Sequence, residues 1–450
     1  MLCGLYEVDI TPHLGVDIPG YFEARPATGV RDRLMARALA CENVDGDAFI
    51  LVALDTLTLK ESTVDRARRK ITQLTGIPGE RVMISATHTH TGGPVSEFVP
   101  GTSDPAYEAW QANQAADAAA MAWQKRRPAK LGYGKAHEDS IAFIRRYHMK
   151  DGTFRTNPGF LHDEIDRPAG SIDPEVGIIK IEDMDGRLIG VITNYACHLD
   201  TVKGNRFCQD YPGEISRVLK SVYDDSVVSI FLTGACGNIN HFDFMHRTRD
   251  YYDKADPPHY VRMGRILAGG VIRALATIET DETERLAVEN ESFAAVIRTP
   301  EQKDIDAAKA LLAEHPYSVV YRTEGGMIGD TERLIERHYA RSLLEVAEIT
   351  KHDVQIPVQA VRIGEAAIVG VPCELFVEFG LDIKARSGFE HTLINTLCNG
   401  LFGYIAVREA FGQGGYETMI SGDTMMGPDT GYDMADTAAK LLEKLLKKPQ

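Results

Sequence analysis

The sequence predicts an α/β fold in which mixed, largely parallel sheet layers are flanked by helices and carry a helical insertion. Three observations predict it: apolar runs alternate with amphipathic patterns, several runs end abruptly in polar residues, and glycines follow those ends. The 450 residues are 44% hydrophobic and 25% charged, a balance typical of a soluble globular protein with a large core. No repeat or clear linker divides the chain, so we expect one catalytic domain over residues 1–450.

The first elements along the chain form a strand–helix–strand unit. Residues 48–54 are a continuous apolar run typical of a buried strand, 61–74 have a helical pattern, and 82–86 are the next apolar run. This succession predicts parallel pairing with helices on the sheet faces. A long alanine-rich helix is expected over 104–126.

The remaining elements are hairpins, a further strand and polar helices. We expect, in order, a hairpin of 176–181 with 188–195, a strand at 227–232, helices at 303–314 and 331–348, and a hairpin of 361–363 with 366–371. The two polar helices form a predicted insertion or lid over about residues 301–352.

Charge and cysteine usage exclude several classes of protein. The net charge of −16, with no compensating Lys/Arg block, argues against nucleic acid and anionic membrane surfaces as partners. No signal peptide and no apolar run long enough to span a bilayer are visible, so we expect no stable membrane insertion. Seven scattered cysteines without a C-x-x-C pair suit a reducing compartment, which predicts a cytoplasmic location. The oligomeric state stays open, a homo-oligomer included.

The most informative motif is the pair His88 and His90 at the end of the 82–86 run. In extended chain, residues i and i+2 point to the same side, so both imidazoles can face one cleft. Gly92 and Gly93 keep bulk away from that cleft. Imidazole is a common metal ligand, but it needs partners elsewhere in the chain, and a pair of polar loop residues is the alternative interpretation.

Four other apolar runs also end in polar residues that could take part in catalysis or binding. His198 ends one run, Glu374 another and Tyr404 a third, and the segment 234–240 ends the fourth in small residues and two asparagines. One such ending is common in structural loops, whereas several in one chain indicate a shared site.

Together these motifs resemble the catalytic domain of neutral/alkaline non-lysosomal ceramidases. The resemblance extends from about residue 5 to about residue 435. Its motifs are Tyr-Glu-Val-Asp-Ile-Thr-Pro at 6–12, His-Thr-His-Thr-Gly-Gly at 88–93, Asn-Tyr-Ala-Cys-His at 194–198, Gly-Ala-Cys-Gly-Asn-Ile-Asn at 234–240, Val-Pro-Cys-Glu at 371–374, and Tyr404 followed by Gly-Gly-Tyr-Glu at 414–417.

The resemblance implies a zinc-dependent amidohydrolase that cleaves an N-acyl bond with metal-activated water. The residues that match the zinc ligands of the family are His88, His198, Glu374 and Tyr404. The residues that match its catalytic groups are His90, Tyr416 and an arginine, for which Arg145 is preferred over Arg146.

Departures from the family pattern indicate a substrate other than ceramide. The family segment Gly-Asp-Val-Ser-Pro-Asn, whose serine lies in the active site, is replaced here by Gly237, Asn238, Ile239 and Asn240. The sequence ends soon after Asp436, so the C-terminal immunoglobulin-like domain of the long ceramidases is expected to be missing. We therefore predict a small soluble N-acyl substrate contacted by Gly237, Asn238 and Asn240.

Several alternatives remain. The same ligand set would support a metal-dependent esterase, a lactonase, a carbohydrate deacetylase or a true ceramidase, and a binding protein that lost catalysis is a further class. Asp210 could orient a ligand imidazole or could simply begin a helix before 215–223. The cysteines beside the motifs are expected to be packing residues rather than nucleophiles.

Overall fold

A computed structural model describes residues 1–96 and 98–448. The strands are β1 (Leu2–Asp9), β2 (Gly29–Val30), β3 (Met35–Glu42), β4 (Ala48–Leu54), β5 (Val82–Ala86), β6 (Arg127–His137), β7 (Phe143–Ile144), β8 (Arg146–Met149), β9 (Phe154–Thr156), β10 (Ile165–Pro168), β11 (Glu175–Asp183), β12 (Leu188–Tyr195), β13 (Arg206–Phe207), β14 (Val228–Thr233), β15 (Ile239–Asn240), β16 (Leu286–Val296), β17 (Tyr321–Thr323), β18 (Gly326–Ile328), β19 (Asp353–Ile363), β20 (Ala366–Gly370), β21 (Glu374–Leu375), β22 (His391–Asn395) and β23 (Tyr404–Ile405).

The helices cover the outer faces of the sheets or belong to loops. They are α1 (Glu61–Thr75), α2 (Pro105–Gln124), α3 (Tyr211–Val222), α4 (Arg249–Asp253), α5 (His259–Leu275), α6 (Gln302–Glu314), α7 (Leu334–Ala347), α8 (Val377–Arg386), α9 (Arg408–Gln413) and α10 (Thr430–Lys447). Within the described ranges, none has the length and apolar character that crossing a membrane requires.

Two large sheets organise the molecule. The first has the order β14-β12-β11-β6-β1-β3-β4-β5 and the second the order β16-β19-β20-β22. The mixed α/β class is confirmed, but the prediction of largely parallel sheets is wrong. In these two sheets the parallel pairs are β4/β5, β12/β14 and β20/β22, and the other neighbours are antiparallel.

The parallel pairs arise where a helix connects two neighbouring strands. Helix α1 lies between β4 and β5, α3 between β12 and β14, and α8 between β20 and β22. Short turns join β3 to β4 and β11 to β12, and a short turn can only produce antiparallel neighbours. The sequence prediction generalised the parallel pairing of one strand–helix–strand unit to the whole sheet. Most neighbouring strands of that sheet are antiparallel instead.

The sheets pack face to face, and each outer face carries helices. Along β4, Phe49 and Leu51 belong to the core between the sheets, whereas Ile50 and Val52 pack with α1 and α2 on the other side. Helices α3 and α5 cover the β11, β12 and β14 region, and α8 and α10 cover the second sheet. Both faces of β4 are therefore buried, which explains its continuous apolar run.

The predicted elements are found with small shifts in their bounds. Helix α2 begins at Pro105 because the Asp104 side chain accepts from the Ala106 and Tyr107 amides. Both predicted hairpins form, as β11 with β12 and β19 with β20. The predicted polar insertion contains α6 and α7, with an unpredicted β17–β18 hairpin between them. The single catalytic domain stays a prediction.

Loops from both large sheets meet at one edge of the molecule. A parallel bridge between Thr89 and Leu199 joins the loop after β5 to the loop after β12. The short strands β21 and β23 pair in parallel, with Glu374 opposite Tyr404. These pairings bring four chain segments that are distant in sequence to the same place.

Candidate metal centre and active site

Three buried side chains form a nearly equilateral triangle at this edge. His88 Nε2 lies 3.2 Å from His198 Nε2 and 3.3 Å from Glu374 Oε2, and His198 Nε2 lies 3.2 Å from the same carboxylate oxygen. Zinc bonds to nitrogen and oxygen of about 2.0–2.2 Å, in tetrahedral geometry, place neighbouring ligand atoms about 3.3–3.6 Å apart. The triangle therefore has dimensions suited to one such ion.

Main-chain carbonyls fix the orientation of both imidazoles. His88 Nδ1 is 2.9 Å from the Leu57 carbonyl oxygen, and His198 Nδ1 is 2.9 Å from that of Cys236. A carbonyl only accepts, so each Nδ1 carries the hydrogen and each neutral ring presents its Nε2 lone pair to the triangle. Two lone pairs and a carboxylate oxygen then converge on one point, an arrangement that a cation stabilises.

The charges of the triangle favour the same conclusion. Burial acts to lower the pKa of His88, but the Glu374 charge outweighs it and raises that pKa. Burial, reinforced by Arg145, lowers the pKa of His198. Burial acts to raise the pKa of Glu374, yet the two imidazoles hold it well below its ordinary value. The carboxylate thus stays ionised and attracts positive charge into a buried position.

Tyr404 completes the group of predicted ligands. It lies opposite Glu374 where β21 pairs with β23, and the Arg145 guanidinium carbon is 5.3 Å from the centre of its ring. Burial and the Glu374 charge raise the pKa of Tyr404 well above its ordinary value, so the phenol keeps its proton in the ion-free protein. A dication beside it would favour the phenolate. The structure places His88, His198 and Glu374 around one point with Tyr404 opposite Glu374 in the same cavity, and the role of all four as ligands stays a prediction.

His90 lies next to the triangle and faces the same cavity. Ligand atoms of His88, His90 and His198 lie within 4.8 Å of one another. His90 Nδ1 is 3.1 Å from the Gly20 carbonyl oxygen, so its Nε2 is left as an acceptor, buried and without a hydrogen-bond partner. Burial and the charge of His88 lower the pKa of His90 well below its ordinary value. The imidazole is therefore neutral and presents a free Nε2 lone pair to the cavity.

Of the two neighbouring arginines, Arg145 is the one that lines the cavity. Its Nη1 approaches His198 Nε2 at 3.5 Å, and its Nε is 3.1 Å from Glu417 Oε1. Arg146 turns away from the cavity and donates to Glu417 Oε2 and the Gly414 carbonyl. Glu417, which the sequence prediction did not select, fixes both guanidinium groups from behind.

Tyr416 stands on the other side of Arg145. The Arg145 guanidinium carbon is 4.9 Å from the centre of the Tyr416 ring, and the Tyr416 and Tyr404 rings meet edge to face with centroids 5.8 Å apart. Burial raises the pKa of Tyr416 well above its ordinary value, so its hydroxyl remains a donor. Arg145 and Tyr416 together offer hydrogen-bond donors to an oxygen bound near the triangle.

The three residues predicted to contact the substrate lie behind the cavity wall. The Gly237 carbonyl accepts from Arg145, and Asn238 uses its side chain on Glu378 and the Val377 amide. Asn240 donates to the Asn157 side chain, 2.9 Å away, and its oxygen accepts from the Phe242 amide. These three are not among the described residues that line the cavity, and their contact with a substrate stays a prediction.

Other cavity residues were missed by the sequence analysis. The cavity has a volume of about 270 Å³. Its lining residues without a predicted role are Gly20, Tyr21, Phe22, Leu57, Thr58, Ser96, Phe98, Asn157, Asp200, Tyr339, Leu401, Ser421, Asp423 and Thr424. Asp200 could have been predicted from the sequence, because it stands two residues after His198. The aromatic lining residues could not, because they come from separate loops and from α7.

Two earlier alternatives are also decided by contacts. Asp210 accepts from the Tyr211 amide at the start of α3 and from the Thr201 and Val202 amides, so it begins the helix and fixes the loop after His198. It makes no hydrogen bond to a ligand imidazole among the described residues. All seven cysteines are buried and free, as expected for packing residues.

Comparison with known proteins agrees with the motifs. The family model of neutral/alkaline non-lysosomal ceramidases, N-terminal, matches residues 1–208. The predicted resemblance to that family is confirmed. The crystal structure of neutral ceramidase from Pseudomonas aeruginosa superposes with a TM-score of 0.72 at 19% identity, covering 100% of this chain and 75% of that chain.

A second ceramidase structure, described as complexed with C2, superposes with a TM-score of 0.69 at 18% identity and covers 99% of this chain and 75% of that chain. At these identities the superpositions establish a shared ceramidase fold. No curated protein matches the sequence. The family match and the histidine cluster support the coarse prediction of a ceramidase-family hydrolase with a site suited to a metal ion.

Proposed function

We propose that the protein is a zinc-dependent hydrolase that cleaves the amide bond of a small N-acyl compound. The observation that carries the proposal is the triangle of His88, His198 and Glu374, in which three acceptor atoms meet at 3.2–3.3 Å. Tyr404 would join them as a fourth ligand. A divalent ion bound there supplies Lewis-acid activation of water and of the substrate carbonyl near neutral pH.

Arg145 and Tyr416 are placed to stabilise the oxyanion that forms at an attacked carbonyl. Both groups keep their protons, since the pKa of Arg145 is held well above its ordinary value despite burial, mainly by the two tyrosines and Glu417. Fixed donors in a buried site stabilise developing negative charge more strongly than water does, because they need no reorientation. The salt bridge to Glu417 holds Arg145 in that position before substrate arrives.

His90 is placed to move a proton. Its Nε2 is an unpartnered buried acceptor that faces the cavity, and its Nδ1 hydrogen is held by Gly20. A neutral imidazole can accept a proton from the attacking water and deliver it to the leaving nitrogen. The amide bond requires such delivery, because an amine leaves only when its nitrogen is protonated.

The cavity supports a compact acyl group. Its volume of about 270 Å³ lies near the lower end of the range for small-molecule sites. Phe22, Phe98, Leu401 and Tyr339 supply apolar surface opposite the polar triangle. A short acyl chain fits this wall better than the long chain of a ceramide, although the relatives that share the fold are named ceramidases.

Matched substrates would test the proposal. We expect the zinc-loaded protein to hydrolyse short N-acyl amines, to act more slowly on ceramide, and to lose activity on chelation. Esters, lactones and acetylated sugars of the same acyl length are the control substrates. Hydrolysis restricted to these controls would replace the amidase assignment with an esterase, lactonase or deacetylase.

A further inference from the structure

A second pocket adjoins the active-site cavity and has the opposite electrostatic character from the chain as a whole. Its volume is about 680 Å³, and we call it the basic pocket. Its cationic lining residues are Arg25, Arg31, Lys203, Arg206, Arg249 and Arg322, and its carboxylates are Glu23 and Glu324. In a protein of net charge −16, six cations around one concave surface form a localised positive field.

Three exposed cations of the basic pocket have no carboxylate partner of their own. Among the described residues, Arg31, Lys203 and Arg206 form no ion pair within 4.0 Å, whereas Arg322 pairs with Glu23. All three unpaired side chains are exposed to the pocket solvent. They can therefore bind an external anion without first breaking a salt bridge.

The basic pocket and the active-site cavity share a wall. Tyr21 lines both, and its ring lies 5.6 Å from the His90 ring. On the pocket side the Arg25 guanidinium carbon lies 4.3 Å from the centre of the Tyr21 ring. Arg25 is fully buried and donates to the carbonyls of His90 and Gly204, so it ties the two sites together.

One loop also serves both sites. Its first part carries His198 and Asp200 into the active-site cavity, and its second part carries Lys203 and Arg206 into the basic pocket. Between these two parts, the Asp200 carboxylate is held by a hydrogen bond to His241 Nδ1 at 2.9 Å. A substrate whose amide lies at the triangle would therefore extend past Tyr21 toward unpaired cations.

We infer that the basic pocket binds an anionic group on the amine portion of the substrate: a carboxylate, sulfonate or phosphate. This inference rests on the proposed function, because it assigns the substrate class of the same site. The apolar wall receives the acyl chain, and Lys203, Arg206 and Arg31 receive the anion. Charge-assisted hydrogen bonds from arginine and lysine are the stronger kind of polar contact and select for anions over hydroxyls.

The test uses two matched ligands that contain no amide bond and cannot be cleaved. N-hexyltaurine carries a sulfonate at the position where N-hexylethanolamine carries a hydroxyl. Their binding to the full-length protein is measured by calorimetry at low ionic strength. The pocket variant is Lys203→Gln with Arg206→Gln. The control, Arg66→Gln with Arg69→Gln, removes the same charge from exposed positions on α1.

We expect the wild type and the control to bind N-hexyltaurine about tenfold more tightly than N-hexylethanolamine, and the pocket variant to lose this preference. Arg31→Gln should reduce the preference independently, with unchanged thermal unfolding as the check on folding. Equal binding of the two ligands by the wild type, or a preference kept in the pocket variant, would overturn the inference. Because neither ligand is hydrolysed, an absence of amidase activity would count against the proposed function alone.

Discussion

The two walls of the active-site cavity are built by different means. On the polar wall, the Nδ1 atoms of His88 and His198 are held by main-chain carbonyls, and Glu374 lies opposite Tyr404 in the β21–β23 pair. On the aromatic wall, Phe22, Phe98 and Tyr339 of α7 line the cavity, and the ring of the neighbouring His338 contacts all three.

This difference separates chemistry from selectivity. Hydrogen bonds to main-chain carbonyls fix each imidazole of the polar wall in one orientation. A metal site requires such fixed ligands. Ring contacts are non-directional by comparison and tolerate changes in shape. We therefore expect substitutions on the polar wall to change turnover and those on the aromatic wall to change substrate preference.

The largest effect outside the ligand set is expected from His90→Ala. Removing the proton-transfer group should lower kcat by about 10²- to 10⁴-fold, while the metal content stays at the wild-type level. Steady-state kinetics and elemental analysis of the same sample provide the measurement. His246→Ala, at an exposed loop histidine, is the matched control. A His90→Ala protein that turns over normally would remove the proposed proton carrier.

Glu417→Gln tests whether the polar wall depends on support from behind. The change removes the salt bridges that orient Arg145 and Arg146, so kcat should fall about tenfold to a hundredfold with little change in metal content. Glu409→Gln, at an exposed residue of α9, is the control. A rise in KM alone would mean that Glu417 supports binding rather than the position of the oxyanion donors.

The polar wall could be predicted from the sequence, and the aromatic wall could not. His88, His198 and Glu374 each follow an apolar run, which indicates a shared site, and the family resemblance implies their role as ligands. Phe22 and Phe98 lie in irregular loops, and Tyr339 lies in a polar helix whose docking depends on tertiary packing. No local pattern marks such residues.

The parallel content of the sheets and the directions of individual side chains could not be predicted from local sequence. The helical connection between β4 and β5 was visible in the sequence, but the antiparallel pairing of β1 with β6 joins strands that are far apart in the chain. Asn240 lies in β15, and its side chain donates to Asn157, which in turn lines the cavity. Position after a strand predicts proximity to the site, and the direction of the side chain depends on its partners.

Phe98→Ala tests the aromatic wall. Loss of apolar surface should raise KM for a hexanoyl amide about tenfold and leave kcat nearly unchanged, while the corresponding acetyl amide should be little affected. Kinetics with the two amides measures the change. Equal losses on both amides would show that the aromatic wall also positions the reacting carbonyl.

The smallest effect concerns His338. Burial, with a further contribution from Arg341, lowers the pKa of His338 to about 4 from its ordinary 6.5. In the unfolded chain, His338 is exposed and binds a proton below about pH 6.5, whereas in the folded protein it stays neutral down to about pH 4. The folded state is therefore fully stable at neutral pH, and its free energy of unfolding decreases as the pH falls from 6.5 toward 4. At pH 5 the loss reaches about 2 kcal/mol.

His338→Phe should remove this loss, because phenylalanine does not titrate. Urea unfolding at pH 7 and pH 5 gives the comparison, and His246→Phe controls for the added aromatic ring at an exposed position. The same decrease in the free energy of unfolding in the wild type and in His338→Phe would place the acid sensitivity elsewhere.

The central claim is that His88, His198 and Glu374 hold one divalent ion. Its most direct test is elemental analysis of the purified wild type beside the double variant His88→Ala with His198→Ala, with thermal unfolding used to confirm that both are folded. We predict about one zinc ion per chain in the wild type and none in the double variant. A folded double variant that retains the full complement of zinc would contradict the assignment.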